Sequence, residues 1–155
     1  GNGNAAANSG AAGSTGASSG NAGGSSTETT SMKCTISIRC DEILNHMDAL
    51  EEGKDVYVPA NGCILSSTQV TFEQGETVFD VLKRACDKKG IALEYSWSPM
   101  YNSYYIEGIN NLYEFDCGAA SGWKYKVNGW FPNYGCSSYT LQDGDTIVWS
   151  YTVTG

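Results

Sequence analysis

One helix signal of full strength stands in a chain otherwise written in alternation. That asymmetry limits the fold more than any other feature. Val78–Lys89 carries Val78, Val81, Leu82, Ala85 and Cys86 on a single apolar stripe. Thr77 precedes it and Asp80 follows three residues later, a variant of the capping box. Lys88 and Lys89 sit in the last turn, where the helix dipole favours cations, and Gly90 supplies the stop. A helix with one apolar face needs a surface to cover, and the flanking segments supply strands for it.

After Gly90 every segment reads as strand or turn. Ala92–Trp97 alternates and Tyr104–Ile109 is a second run. Trp123, Tyr125 and Val127 alternate with Lys124 and Lys126, and Asn128-Gly129 follows at once, the signature of a type I′ hairpin turn. Thr146–Val153 closes the chain with Ile147, Trp149, Tyr151 and Val153 on one face. Before the helix, Cys34–Cys40 reads as a strand with Cys34, Ile36, Ile38 and Cys40 facing inward. Asp41–Leu50 reads as a short helix capped by Asp41; Val56–Val58, Ile64–Leu65 and Gln69–Phe72 read as short strands. The expected fold class is α+β: a mixed or antiparallel sheet with one main helix across it, β-grasp-like.

Residues 1–31 hold 8 Gly, 7 Ala, 7 Ser and 4 Asn, with no aromatic or large aliphatic side chain. Such a segment cannot bury enough apolar surface to offset its ordering entropy, so it is expected to be a disordered leader or tether. Residues 32–155 are expected to form a single domain. That region holds all 9 Lys/Arg against 16 of the 17 Asp/Glu. No basic stripe exists to follow a phosphate backbone, so nucleic acid is not an expected partner. No apolar run has the roughly 18–20 residues of a transmembrane segment; no segment reads as a signal peptide, so a secreted form is expected to be a processed chain.

Cys34, Cys40, Cys63, Cys86, Cys117 and Cys136 make an even number without any Cys-x-x-Cys, and the single histidine, His46, is near no pair of them. No metal site is read from this pattern. A disulfide framework and an oxidising, extracellular compartment are expected instead. If the Asn128-Gly129 hairpin continues, Val127 faces Trp130 and Cys136 faces Ser121, four residues from Cys117. A Cys117–Cys136 disulfide follows with a small bulge. Cys86, on the buried helix face, is expected to pair with Cys40 or Cys34.

Of 18 aromatics, 15 lie between Tyr95 and Tyr151. Strand alternation accounts for Trp123, Tyr125, Trp149 and Tyr151 as core. Tyr101, Tyr104 and Tyr105, and then Trp130, Phe131 and Tyr134, lie in or beside turns. Turns run over the surface, and rigid exposed rings give large contact area at low entropy cost. Trp130, Phe131, Tyr134, Tyr101 and Tyr104 are therefore the candidate ligand-binding residues. No nucleophile turn, calcium loop or phosphate-cradling glycine loop is present, and Asp143-Gly144-Asp145 reads as a β-turn. No catalytic residue is assigned.

Four segments together carry a resemblance. They are Glu76-Thr77-Val78-Phe79-Asp80-Val81-Leu82, Tyr104-Tyr105-Ile106-Glu107-Gly108-Ile109-Asn110-Asn111, Ser121-Gly122-Trp123-Lys124-Tyr125-Lys126-Val127-Asn128-Gly129, and Leu141-Gln142-Asp143-Gly144-Asp145-Thr146-Ile147-Val148-Trp149. Their order resembles the C-terminal domain of transcobalamin and intrinsic factor, and more closely a bacterial surface domain of unknown function related to it. The resemblance implies a β-grasp-related fold, no catalysis and no required cofactor, with cobalamin as a candidate ligand. In the vitamin carriers a separate helical barrel completes the pocket, so a further domain or protein would have to do so here. The expectation is an extracellular, surface-tethered binding module, a lipoprotein candidate, that takes cobalamin or a related small ligand on its aromatic hairpin face. The alternative is a structural or adhesive surface domain whose aromatics touch protein or glycan.

Overall fold

The structure is a computed structural model and describes residues 31–154. The expected leader, residues 1–31, thus lies outside the described residues except for Ser31.

Seven strands and one main helix follow in order: β1 (Met32–Arg39), a single-turn α1 (Asp41–Leu44), β2 (Cys63–Phe72), α2 (Val78–Lys89), β3 (Leu93–Ser98), β4 (Ser103–Ile109), β5 (Leu112–Tyr113), β6 (Gly122–Val127) and β7 (Thr146–Thr152). A four-stranded sheet runs β2-β1-β7-β6, and a three-stranded sheet runs β3-β4-β5. β1 is antiparallel to β2 and parallel to β7, so the larger sheet is mixed. The α+β class with one main helix is therefore the observed one.

The period-2 patterns place the core. Cys34, Ile36, Ile38 and Cys40 are buried, as are Ile147, Trp149 and Tyr151 on the neighbouring strand. Trp123, Tyr125 and Val127 are buried on β6. The α2 stripe (Val78, Val81, Leu82, Ala85, Cys86) joins them, together with Phe79, in one cluster. Its N-terminus is closed by the full capping box: Thr77 Oγ1 accepts from the Asp80 amide at 3.3 Å, and Asp80 Oδ2 accepts from the Thr77 amide at 2.9 Å. Gly90 ends the helix at φ 70°.

Several expectations are corrected. Helix α1 stops at Leu44, and its N-cap is Cys40; Asp41 instead binds Arg39 through both carboxylate oxygens. Val56–Val58 is no strand, because Asp55–Tyr57 forms a 3-10 turn. Ile64–Leu65 and Gln69–Phe72 are one continuous strand, β2.

The largest correction concerns the hairpin. Asn128 (φ 53°) and Gly129 (φ 91°) make the turn, and Val127 bridges Trp130 as the register requires. The ladder ends there. The next non-hydrogen-bonding obstacle is Pro132, which in that register faces Tyr125 and has no N–H to offer. β6 pairs with β7 instead, from Gly122↔Thr152 to Val127↔Ile147. Cys136 never reaches Ser121. All six cysteines are free thiols, so neither the Cys117–Cys136 disulfide nor a bond from Cys86 to Cys40 or Cys34 is formed. Cys117 Sγ lies 3.5 Å from the His46 carbonyl oxygen, and Cys136 Sγ lies 3.5 Å from that of Tyr104.

Candidate functional site

The segment diverted by Pro132 builds the site. Residues 134–138 fold back onto the tip of the β3–β4 hairpin. Ser137 Oγ accepts from the Tyr104 amide at 2.9 Å and lies 2.9 Å from Ser103 Oγ, which in turn accepts from the Ser137 amide at 3.1 Å. Gly135 permits this approach: a Cβ there would stand 2.2 Å from Ser103 Oγ. The Ser138 hydroxyl donates to the Asn102 carbonyl at 3.3 Å. Asn102 itself takes the left-handed conformation, φ 49°, that closes the hairpin tip.

β3 and β4 pair with Trp97 directly opposite Tyr104. Their rings meet edge to face, centroids 5.3 Å apart. Tyr104 also stacks on Phe79 of α2 at 4.6 Å, and Tyr95 closes edge-on against both Phe79 and Tyr104. An open groove of about 1130 Å³ runs beside this cluster. Its apolar wall is Phe79, Trp97 and Tyr104; its polar walls are the first turn of α2 with the turn before it, and Asn102, Ser137 and Ser138 across from them.

The groove's charges are engaged within the protein. Arg84 pairs with Glu76 and donates to the Thr71 carbonyl at 3.2 Å, while Glu76 Oε1 accepts from the Glu73 amide at 3.0 Å. Asp80 holds the cap through Oδ2, which also accepts from the Thr77 hydroxyl at 3.0 Å. The groove therefore offers ring faces, hydroxyls and an amide beside a set of paired charges.

The five aromatic candidates are all at the surface, and of the five only Tyr104 lines the groove. Trp130 is 50% exposed, and Phe131 and Tyr134 are close to that. The ammonium groups of Lys124 and Lys126 lie over the Phe131 ring, at 5.9 and 5.0 Å from its centre. Tyr134 stacks on Tyr139, and its carbonyl accepts from the Tyr125 hydroxyl at 2.6 Å. Tyr101 stacks on Tyr105, whose hydroxyl donates to Glu114 at 2.7 Å. Burial, reinforced by that bond, pushes the Tyr105 phenol well up from its usual value. Tyr104 stands near the start of β4, in the strand run expected from Tyr104 to Ile109 and beside the hairpin turn.

Phe79 and Trp97 were not among the candidates. Phe79 flanks the helical stripe and is accounted for as core by that pattern alone. Trp97 ends an alternating run, and its position opposite Tyr104 was the available signal. The acidic turn Asp143-Gly144-Asp145 is structural: its carboxylates accept from the Lys33 and Gln142 amides and the Asn128 side chain. Among the described residues no group of three or more His, Cys, Asp or Glu could hold a metal ion, and no helix is long and apolar enough to cross a membrane.

The fold and groove define a mixed-sheet α+β domain with an open surface site. Residues 75–153 match the family described as Domain of unknown function (DUF4430), and the chain belongs to that family. Among solved structures it is similar to haptocorrin in complex with Cbi, at 18% identity and a TM-score of 0.54, over 79% of this chain. This chain spans 25% of the haptocorrin chain. A candidate metal binding protein from Ruminococcus gnavus ATCC 29149 aligns at 10% identity and a TM-score of 0.45, over 79% of this chain and 97% of that one. No curated protein matches the chain.

Proposed function

We propose that this domain is an extracellular, surface-tethered and non-catalytic binding module. Its ligand is a small molecule held beside Tyr104, in the groove walled by Phe79, Trp97 and Tyr104. The observation that carries this reading is the groove itself. A concave site with a rigid aromatic wall and a few convergent polar groups is where small ligands bind. The likeness to haptocorrin supports the α+β fold, which we read as β-grasp-like, and makes cobalamin the first ligand to test. A flat ring system resting on one open wall binds weakly unless a second domain or protein covers its other face.

Four of the thiols are unsuited to nucleophilic chemistry. Burial pushes Cys86 and Cys136 up to about 12, and Cys34 and Cys40 to about 11. Such thiols are protonated near neutrality and are poor nucleophiles.

Titration with cobalamin and related tetrapyrroles, followed by absorbance and calorimetry, tests the reading. Binding should be saturable, weakened by Trp97→Ala and unaffected by Trp130→Ala. Loss with Trp130→Ala and no effect of Trp97→Ala would instead place the ligand on the Trp130, Phe131 and Tyr134 side.

A further inference from the structure

The groove's chemistry is selective, and three observations narrow the ligand class. Trp97 is 51% exposed although it pairs across the hairpin with the packed Tyr104, so its ring is held in place while half its surface stays in water. An aromatic ring presents a negative face. It attracts either a cation or the weakly positive C–H face of a saturated ring.

The charge pattern decides between them. A cation held by aromatic rings is favoured further by a carboxylate not otherwise engaged. Here Glu76 is paired with Arg84, Asp80 serves the α2 cap, and Glu73, the third carboxylate on the wall, is also engaged within the protein. The α2 N-terminus also lies on the groove wall, and its dipole disfavours positive charge. An anion meets Glu76 and Asp80 in the same place. The remaining polar groups suit hydroxyls, which both donate and accept. The Asn102 side-chain amide has no hydrogen-bond partner among the described residues, and Ser137 and Ser138 continue the same rim.

Size agrees. About 1130 Å³ of open groove leaves room for more than one sugar ring.

We infer that the groove between Trp97 and the α2 N-terminus binds a neutral saccharide of two or more sugar units, one of them stacked on Trp97 and its hydroxyls hydrogen-bonded by the Asn102 amide. This rests on the groove being the ligand site, and the test separates the two claims.

The full chain is titrated with cellotriose, maltotriose and chitotriose, with cobalamin, and with tetramethylammonium as a cation probe. Tryptophan fluorescence and calorimetry are the readouts. Two variants accompany it. Trp97→Ala removes the platform from a half-exposed position. Asn102→Gly removes the amide while keeping a residue that tolerates positive φ. Melting curves of both establish that the fold is retained. At least one trisaccharide should bind, about tenfold or more weakly in Trp97→Ala and several-fold more weakly in Asn102→Gly. Its affinity should not change between low and high salt, because no charge pair is formed. If cobalamin or tetramethylammonium binds in a Trp97-dependent way and no saccharide does, the saccharide assignment is overturned and the groove stands. If no probe binds, or binding survives both substitutions, the groove itself is overturned as the site.

Discussion

Two tryptophans show how position decides what a residue contributes. Trp149 is 2% exposed on β7, and its indole Nε1 has no hydrogen-bond partner among the described residues. Trp149→Ala should cost about 3–5 kcal/mol in urea unfolding, as the loss of a large buried ring does. Trp149→Phe should cost far less, because it also removes a buried N–H whose desolvation opposes folding by roughly 1–3 kcal/mol. Equal losses from the two substitutions would show that the indole N–H is satisfied. Trp130→Ala, at a half-exposed turn position, should change stability by no more than about 0.5 kcal/mol. The cysteines give a second test at this scale. Thiol titration of the unreduced, denatured protein should count six reactive groups. In the native protein Cys63, the one thiol not buried, should be alkylated first.

At the scale of elements, α2 and the β3–β4 hairpin behave differently under substitution. The capping box is local, so Thr77→Ala should destabilise by about 1 kcal/mol in a chemical denaturation curve. Gly135→Ala acts at a distance. Its Cβ would meet both Ser103 Oγ at 2.2 Å and Ser103 Cβ at 2.4 Å, so the 134–138 segment must lift from the hairpin tip. A cost of about 1–3 kcal/mol is expected, with the largest amide shifts at residues 102–104 and 137–138. Unchanged spectra there would show that the two segments are not in contact. This contrast also explains what could be read from the sequence. Thr77, Asp80, the apolar stripe and Gly90 lie within fourteen residues, and each signal acts on its own turn, so α2 was legible from end to end. The Asn128-Gly129 turn was legible for the same reason. What followed it was not, because a single imino acid, Pro132, ended the ladder and sent the chain to β4. The groove joins Thr71, Trp97 and Ser138, and no local pattern brings such separated positions together. The rings of Trp130, Phe131 and Tyr134 were correctly placed at the surface by turn chemistry, but turn chemistry does not say which rings share a cavity.

For the whole molecule, the buried thiols link stability to alkaline pH. A free thiol loses its proton near 9.0, whereas Cys34 and Cys40 hold theirs to about 11 and Cys86 and Cys136 to about 12. Burial raises the folded-state values. Below pH 9 both states are protonated and the contribution is fully present; above it the unfolded state ionises first, and stability falls as pH rises towards 12. Melting temperatures of the reduced protein should therefore decline from about pH 9 upwards. A flat profile from pH 8.5 to 11 would contradict the burial of these groups. The central seam of the larger sheet has a mechanical consequence. β1 and β7 run parallel, in register from Thr35↔Thr146 to Arg39↔Ser150. A pull on the chain before Met32 and after Thr152 draws the two strands in opposite directions along their own length. Their hydrogen bonds are then loaded together in shear instead of being opened one by one like a zip. A domain built this way should resist stretching between the start of β1 and the end of β7 far better than stretching across the sheet.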